Sequence, residues 1–183
     1  TRCAIAYANK KNIINIDTIF EAYDGVHKAT VLDDELIEMQ MKINSKIIKN
    51  DYGLWVDTGS PHLIIETSNT DDIDVEKEGK LIRYSDNFRE NGVNVNYVQK
   101  ISDEVFKIRT YERGVEYETM ACGTGSTASA LCMNYLDKTT KNEIKMKCLG
   151  GDLIIKFQEK GKEYSKITHI GPAQEVFKGS FVV

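Results

Sequence analysis

Ala121-Cys122-Gly123-Thr124-Gly125-Ser126-Thr127-Ala128 is the stretch on which the reading of this chain turns. A cysteine stands beside two glycines, directly before residues 126–136, which are small or apolar nearly all round. A helix without a polar face is enclosed on most sides, so the stretch predicts a buried helix with a thiol at its start. A helix start carries the positive end of the backbone dipole and N–H groups with no intrahelical partner. That position favours thiolate over thiol and makes Cys122 a candidate base or nucleophile. The same N–H groups can hold a carboxylate or a phosphate. The alternative is an inert core cysteine, which is common in interiors. The flanking Gly-Thr-Gly leaves amides uncovered and favours the reactive reading. Chemistry on a small acid follows from a sulfur and an anion cradle in one motif.

Outward from this helix the chain reads mostly as short strands. Ile37, Met39, Met41 and Ile43 alternate with polar residues, the period of a half-buried strand. Asp24-Gly25 and Asp33-Asp34 mark turns around it. Further strands are predicted over 54–57, 63–67, 93–99 and 105–111, with 44–51 as a linker and the acidic 68–79 as a surface loop holding a short helix. Beyond the central helix, Ile144, Met146 and Cys148 alternate, as do Leu153, Ile155 and Phe157, with Gly150-Gly151-Asp152 as the turn between them. A charged hairpin tip at 159–163 follows. Ile170-Gly171-Pro172-Ala173 is expected to break the chain before a last strand over 175–183. Residues 1–11 read as another helix, rich in alanine and closed by lysines that suit its C-terminal dipole. Many strands and two enclosed helices, without regular βαβ alternation, predict an α+β fold with a mixed, mostly antiparallel sheet wrapped around a helix.

Composition bounds the function. The chain has 183 residues, 41% of them hydrophobic, enough for a real core. A net charge of −4 with both signs interspersed gives no footprint for nucleic acid. No apolar run approaches the length that spans a membrane. Cys3, Cys122, Cys132 and Cys148 have irregular spacing and form no CxxC pair, which argues for reduced thiols in the cytoplasm and against a zinc site. Cys132 and Cys148 lie on periodic apolar faces and are read, with Cys3, as packing residues. The opening Thr1-Arg2-Cys3-Ala4 reads as the inside of a helix, as expected of a fragment.

Other residues join Cys122. Glu112-Arg113-Gly114 lies upstream at a strand end; the arginine suits a carboxylate held by two hydrogen bonds, and the glutamate an amine or a thiol. A surface ion pair is the bland alternative. Gly59-Ser60-Pro61-His62 follows a strand and supplies a histidine, a usual acid or base. His27 and His169 have no supporting context and receive no role. Asn94 and Asn96, two apart in an alternating strand, are predicted to share one face.

Taken together these segments resemble diaminopimelate epimerase, a pyridoxal-independent family of amino-acid epimerases. Tyr111-Glu112-Arg113-Gly114 with Ala121-Cys122-Gly123-Thr124-Gly125 resembles its most specific signature. Gly59-Ser60-Pro61-His62, Val93-Asn94-Val95-Asn96-Tyr97, Gly150-Gly151-Asp152-Leu153 and Gly171-Pro172-Ala173 stand in the family's order. The resemblance implies two pseudo-equivalent domains, each a β-barrel-like sheet around a central helix, with substrate between them. It implies no cofactor and no metal. Two cysteines on opposite faces of the substrate α-carbon exchange its proton: one thiolate removes it and the other thiol delivers one, inverting the centre.

By resemblance Cys122 is one of the two, assisted by Glu112, while His62 assists the other. Gly123 and Thr124 bind the α-carboxylate through their N–H groups, Glu112 and Arg113 contact substrate, and Asn94 binds its distal end beside Ser60. Ser60 stands where the family often has asparagine, and the interval from Arg113 to Cys122 is slightly longer than in many members. Thr1-Arg2-Cys3 matches only the end of a family stretch reading Cys-Gly-Asn-Gly-x-Arg-Cys, so the partner cysteine falls outside this chain and Cys3 is not it. Residues 1–45, with 173–183 returning to them, are then the remnant of the first domain, and 46–172 the second. The implied substrate is diaminopimelate, an intermediate of lysine and cell-wall synthesis, with a homodimer as the assembly. A racemase for histidine or proline, or an amino-acid-binding fragment without turnover, are the alternatives. A fragment with one thiol is expected to be inactive alone.

Overall fold

The computed structural model describes residues 1–22, 24–33 and 36–180. They fall into two compact units, the described parts of Thr1–Gln40 with Ile170–Val183, and Met41–His169. No helix among the described residues is long and apolar enough to cross a membrane.

The first unit holds α1 (Arg2–Lys10) and strands β1 (Asp17–Ala22), β2 (Gly25–Val31) and β3 (Leu36–Gln40), paired antiparallel in that order. Gly25 turns the β1–β2 hairpin at φ +105°, a conformation that glycine adopts without a Cβ clash. Ile5, Ala29, Ile37, Met39 and Ala173 form the core. A cavity of about 580 Å³, lined by Cys3, Tyr7, Lys10 and Glu175 among others, contains none of the predicted site residues. Of the predicted Asp33-Asp34 turn, Asp34 lies outside the described residues.

The second unit holds β4 (Ile48–Asn50), β5 (Gly53–Asp57), β6 (Pro61–Glu66), α2 (Val75–Arg83), β7 (Asn94–Lys100), β8 (Val105–Glu112), β9 (Tyr117–Thr119), α3 (Gly123–Tyr135), β10 (Glu143–Cys148), β11 (Gly151–Lys160) and β12 (Glu163–Pro172), whose end from Ile170 is counted with the first unit. The strand order is β12-β11-β10-β8-β7-β6-β5-β4, with β9 paired to β8. The sheet is mixed: β6 with β7 and β8 with β10 are parallel, while β4–β5, β5–β6, β7–β8 and β10–β11 are antiparallel. Parallel neighbours need a crossover, and α2 and α3 supply the two. The path of strands is open, so the barrel-like sheet implied by the resemblance does not close.

The central helix is α3. It packs against β5, β6, β7, β8, β10 and β11. Every residue from Gly125 to Met133 is buried. Glycine, serine and threonine are poor helix formers, and tertiary burial overrides that preference here. Small side chains are what allow strands to approach from so many directions. The helix starts at Gly123, earlier than the predicted 126, because its first turn is held by contacts described below.

The two faces of β7 are sorted by residue type. Val95 and Tyr97 join Leu63, Val75 and Tyr111 in a core under α2. Gly79 of α2 lies against the Tyr111 ring with no room for a Cβ. The opposite face carries Asn94, Asn96 and Val98, and Val98 joins the α3 core with Ile64, Phe106 and Ile108. The shared face predicted for the two asparagines is the one turned to α3.

Three readings are corrected. The short helix expected within 68–79 is α2, running on to Arg83, with Asp74 accepting from the Lys77 N–H at 3.1 Å as its cap. Residues 44–51, read as a linker, contain β4. The break expected at Ile170-Gly171-Pro172 is the end of β12, and 173–180 carry no strand; 181–183 lie outside the described residues. Proline cannot donate the next ladder bond, so it ends the strand. Val176 and Phe177 after it are exposed, so no buried face selects a further one.

Candidate active site

Cys122 is placed by the return of β9 onto β8. After Glu112 the chain turns through Gly114 (φ +88°) and Glu116 (φ +59°), and Tyr117 pairs back with Glu112. The Glu116 carboxylate accepts the Gly114 N–H at 3.0 Å and pairs with Arg83 at 3.3 Å, which secures the turn. Cys122 follows in extended conformation (φ −121°, ψ 112°), so the helix begins just after it. Its carbonyl accepts the Ser126 N–H at 2.9 Å, the first bond of the helix. Its sulfur receives the Gly125 N–H and lies 3.5 Å from the Thr124 hydroxyl.

Two contacts fix the first turn of α3. The Thr58 hydroxyl, wholly buried, donates to the Thr124 carbonyl at 2.9 Å. The His169 ring lies over Gly123 so closely that a Cβ there would come within 2.7 Å of its Cε1. Neither residue is singled out by the sequence. Thr58 lies just ahead of Gly59-Ser60-Pro61-His62, and His169 arrives from β12, far away in the chain, with no local signal.

The electrostatics of the thiol oppose the helix-start argument. Cys122 is 7% exposed, and its pKa is pushed up to about 11. Burial is the largest cause and the Glu112 charge the next; the Thr124 hydroxyl and Gly125 amide act the other way. A helix end contributes about 0.3–1 kcal/mol in ordinary settings. Stripping water from a thiolate outweighs that, and a neighbouring carboxylate adds repulsion. The expected resting thiolate is therefore corrected to a resting thiol. Glu112 is itself held by the Thr119 hydroxyl, which donates to its Oε2 at 2.7 Å.

A second group gathers at the ends of β6 and β7. Asn94 donates from Nδ2 to the Ser60 hydroxyl and the Pro61 carbonyl, both at 2.9 Å, and accepts the Arg113 backbone N–H at 2.9 Å. The Arg113 guanidinium donates to the Asn91 carbonyl at 2.8 Å and to Ser60 at 3.4 Å. Ser60, Asn94 and Arg113 are thus brought together, and chain continuity sets Arg113 beside Glu112. Both ends of the Asn94 amide are occupied by the protein, so it also orders its neighbours.

His62 is wholly buried, and its pKa is lowered to about 3, first by burial and then by the Arg113 charge. It is neutral at ordinary pH. Its Nδ1 faces the Asn96 amide nitrogen at 3.2 Å. Among the described residues no group of three or more His, Cys, Asp or Glu is placed to hold a metal ion. What the arrangement can do is bind an anion at the α3 start and exchange a proton through one sulfur.

Comparison with known proteins places the chain in a family. Residues 54–176 match the family model described as diaminopimelate epimerase. The diaminopimelate epimerase of Flavobacterium psychrophilum is 42% identical over 177 residues, covering 97% of this chain and 69% of that protein. That of Aquifex aeolicus is 34% identical over 189 residues, covering 98% and 67%. The chain therefore spans about two thirds of the length of these relatives. Among solved structures, a probable proline racemase from Agrobacterium radiobacter superposes with a TM-score of 0.68 at 15% identity, covering 99% of this chain and 66% of that one. A hydroxyproline epimerase from Agrobacterium vitis gives 0.63 at 14% identity, covering 93% and 61%. At such identities these two share the fold. The family match and the close relatives together settle the membership: this chain belongs to the diaminopimelate epimerase family.

Proposed function

We propose that this chain carries the Cys122 half of a cofactor-independent epimerase that interconverts LL- and meso-diaminopimelate. The observation that carries the reading is Cys122 at the start of an enclosed helix, its sulfur touched by the Gly125 amide and the Thr124 hydroxyl. The N–H groups of Gly123 and Thr124 bind the substrate α-carboxylate. Fixed dipoles at that carboxylate stabilise the charge that develops when the α-proton leaves. Arg113, with Ser60 and Asn94 behind it, contacts the rest of the substrate.

Because Cys122 rests as a thiol, its first act is to donate. A thiolate on the other face takes the α-proton, Cys122 delivers its own, and the centre inverts. Cys122 is then the thiolate and its partner the thiol, ready for the reverse direction. The Gly125 amide and the Thr124 hydroxyl stabilise that thiolate against the Glu112 charge. His62, neutral, serves as a hydrogen-bond donor.

The second thiol faces Cys122 across the substrate and is none of Cys3, Cys132 and Cys148; this chain spans 69% of the Flavobacterium relative's length. Residues 1–45 with 173–183 belong to the first epimerase domain and 46–172 to the second. A donor thiol must stay reduced, which places the enzyme in the cytoplasm, and it works as a homodimer.

The test is incubation of the complete protein with LL-diaminopimelate in deuterium oxide. Deuterium at the α-carbon and formation of the meso isomer are expected. Exchange with proline or histidine in place of diaminopimelate would move the assignment to a related racemase. The 183-residue chain alone is expected to give no useful turnover.

A further inference from the structure

Asn96 is wholly buried on β7, where its register partner on β8 is Thr110. Its Nδ2 faces the Leu63 carbonyl at 3.1 Å, the Asn94 carbonyl at 3.1 Å and His62 Nδ1 at 3.2 Å. Its Oδ1 accepts the Thr110 hydroxyl at 3.0 Å. Backbone carbonyls only accept, so they fix the amide with its nitrogen towards them. The atom facing His62 Nδ1 is then a donor, and Nδ1 must present its lone pair. The imidazole proton therefore sits on Nε2. That nitrogen is buried and has no hydrogen-bond partner among the described residues. A fully buried N–H without a partner is rare in a folded protein.

The other end of Asn96 touches the thiol site. A Cβ on Gly125 would come within 2.5 Å of Asn96 Oδ1 and 3.3 Å of Cys122 Sγ. The amide oxygen thus fills the space beside the residue whose N–H reaches the sulfur.

We propose that Asn96 is a positioning residue that locks His62 as the Nε2–H tautomer and holds the Gly125 amide against Cys122. One buried side chain then sets two features of the site. His62 is then a donor at Nε2, and its one lone pair, on Nδ1, faces the Asn96 amide, which shares two hydrogens among three acceptors. The first turn of α3 cannot slide towards β7. The tautomer assignment stands on geometry alone; its bearing on proton transfer rests on the epimerase reading above.

The experiment is nitrogen NMR of the 183-residue protein with labelled histidine at neutral pH. For His62, a pyridine-like Nδ1 and a pyrrole-like Nε2 are expected. In Asn96→Asp a carboxylate replaces the donor, and Nδ1 is expected to take up a proton and become pyrrole-like. The signals of His27 and His169 report whether that variant is folded. Alkylation of Cys122, followed on its own peptide at pH 9, is expected to slow several-fold in Asn96→Ala as the Gly125 amide loosens.

A wild-type spectrum with the proton on Nδ1 overturns the assignment, whether or not either variant folds. Unchanged His62 signals in folded Asn96→Asp also overturn it. Unchanged Cys122 alkylation in folded Asn96→Ala removes the second half. A protein with the expected tautomer that exchanges no substrate deuterium keeps this inference and loses the epimerase reading, so the two failures are distinct.

Discussion

Where the starts of β6 and β7 meet the end of β8, both faces of the sheet are buried and differ in what they are made of. Towards α2 stand Leu63, Val95, Tyr97 and Tyr111; towards α3 stand His62, Asn94, Asn96 and Thr110, all buried. A sheet covered on both sides normally reads as continuous apolar strands. The α2 face follows that rule and contributes stability by removing hydrocarbon from water. The α3 face breaks it at this end, although Ile64, Val98, Phe106 and Ile108 farther along are apolar, and it satisfies its polar atoms largely within the cluster, as Thr110 to Asn96 and Asn94 to Ser60 show. A buried polar group is informative where an exposed one is not. The difference teaches that β7 is built to stabilise on one side and to organise chemistry on the other.

The largest expected break between the faces is in turnover. Replacing Cys122 by Ala in the complete protein should lower deuterium incorporation into diaminopimelate by about 10²–10⁴-fold, the usual worth of a positioned acid or base. Folding should be unaffected by that change. On the α2 face the pattern reverses. Leu63→Ala empties space at a fully buried residue and should cost about 2–5 kcal/mol in urea unfolding. The pH dependence of Cys122 alkylation should stay as it is. A Leu63→Ala protein with normal stability and an altered thiol would show that the faces are not separate in function.

How much of this was legible follows the same division. The α3 start was readable because Gly-Thr-Gly beside a cysteine is a local signal, and Gly123 and Gly125 are small for reasons now visible: His169 and Asn96 stand where a Cβ would go. The shared face of Asn94 and Asn96 followed from strand period alone. The thiol's protonation was not readable, since burial and the Glu112 charge come from packing that no local pattern reports. His169 was invisible for a similar reason: it reaches Gly123 from a strand near the other end of the chain. A final strand is absent over the described 173–180, where Val176 and Phe177 are exposed and no buried face selects one.

A smaller effect sharpens the polar side. The folded protein keeps His62 neutral down to about pH 3, whereas an unfolded histidine takes up its proton near 6.5. Between those values the unfolded state binds more protons, so stability rises with pH and falls as the solution is acidified. The slope from this one residue grows as pH falls through 6.5 and approaches the one-proton limit of about 1.4 kcal/mol per pH unit near pH 5. Urea midpoints at pH 7, 6 and 5 should show it, and His62→Gln should flatten it. An unchanged slope in a folded His62→Gln protein would mean that the ring is charged in place.

The smallest expected effect lies on the apolar side, at its one irregular atom in this comparison. The Tyr97 hydroxyl is buried and has no hydrogen-bond partner among the described residues. Burial, with the Glu78 charge behind it, raises its pKa, so the group stays a neutral phenol. Leaving such a donor dry costs about 1–3 kcal/mol, and removing it relieves that cost while keeping the ring. Tyr97→Phe should therefore leave stability unchanged or raise it by up to about 1 kcal/mol in urea unfolding. On the other face, Thr110→Val deletes a hydroxyl that Asn96 Oδ1 uses, and it should destabilise. The same chemical operation, loss of one buried hydroxyl, thus carries opposite signs on opposite faces. A Tyr97→Phe protein that unfolds as readily as Thr110→Val would show that the α2 face holds a polar partner of its own, and the division of labour across β7 would fall.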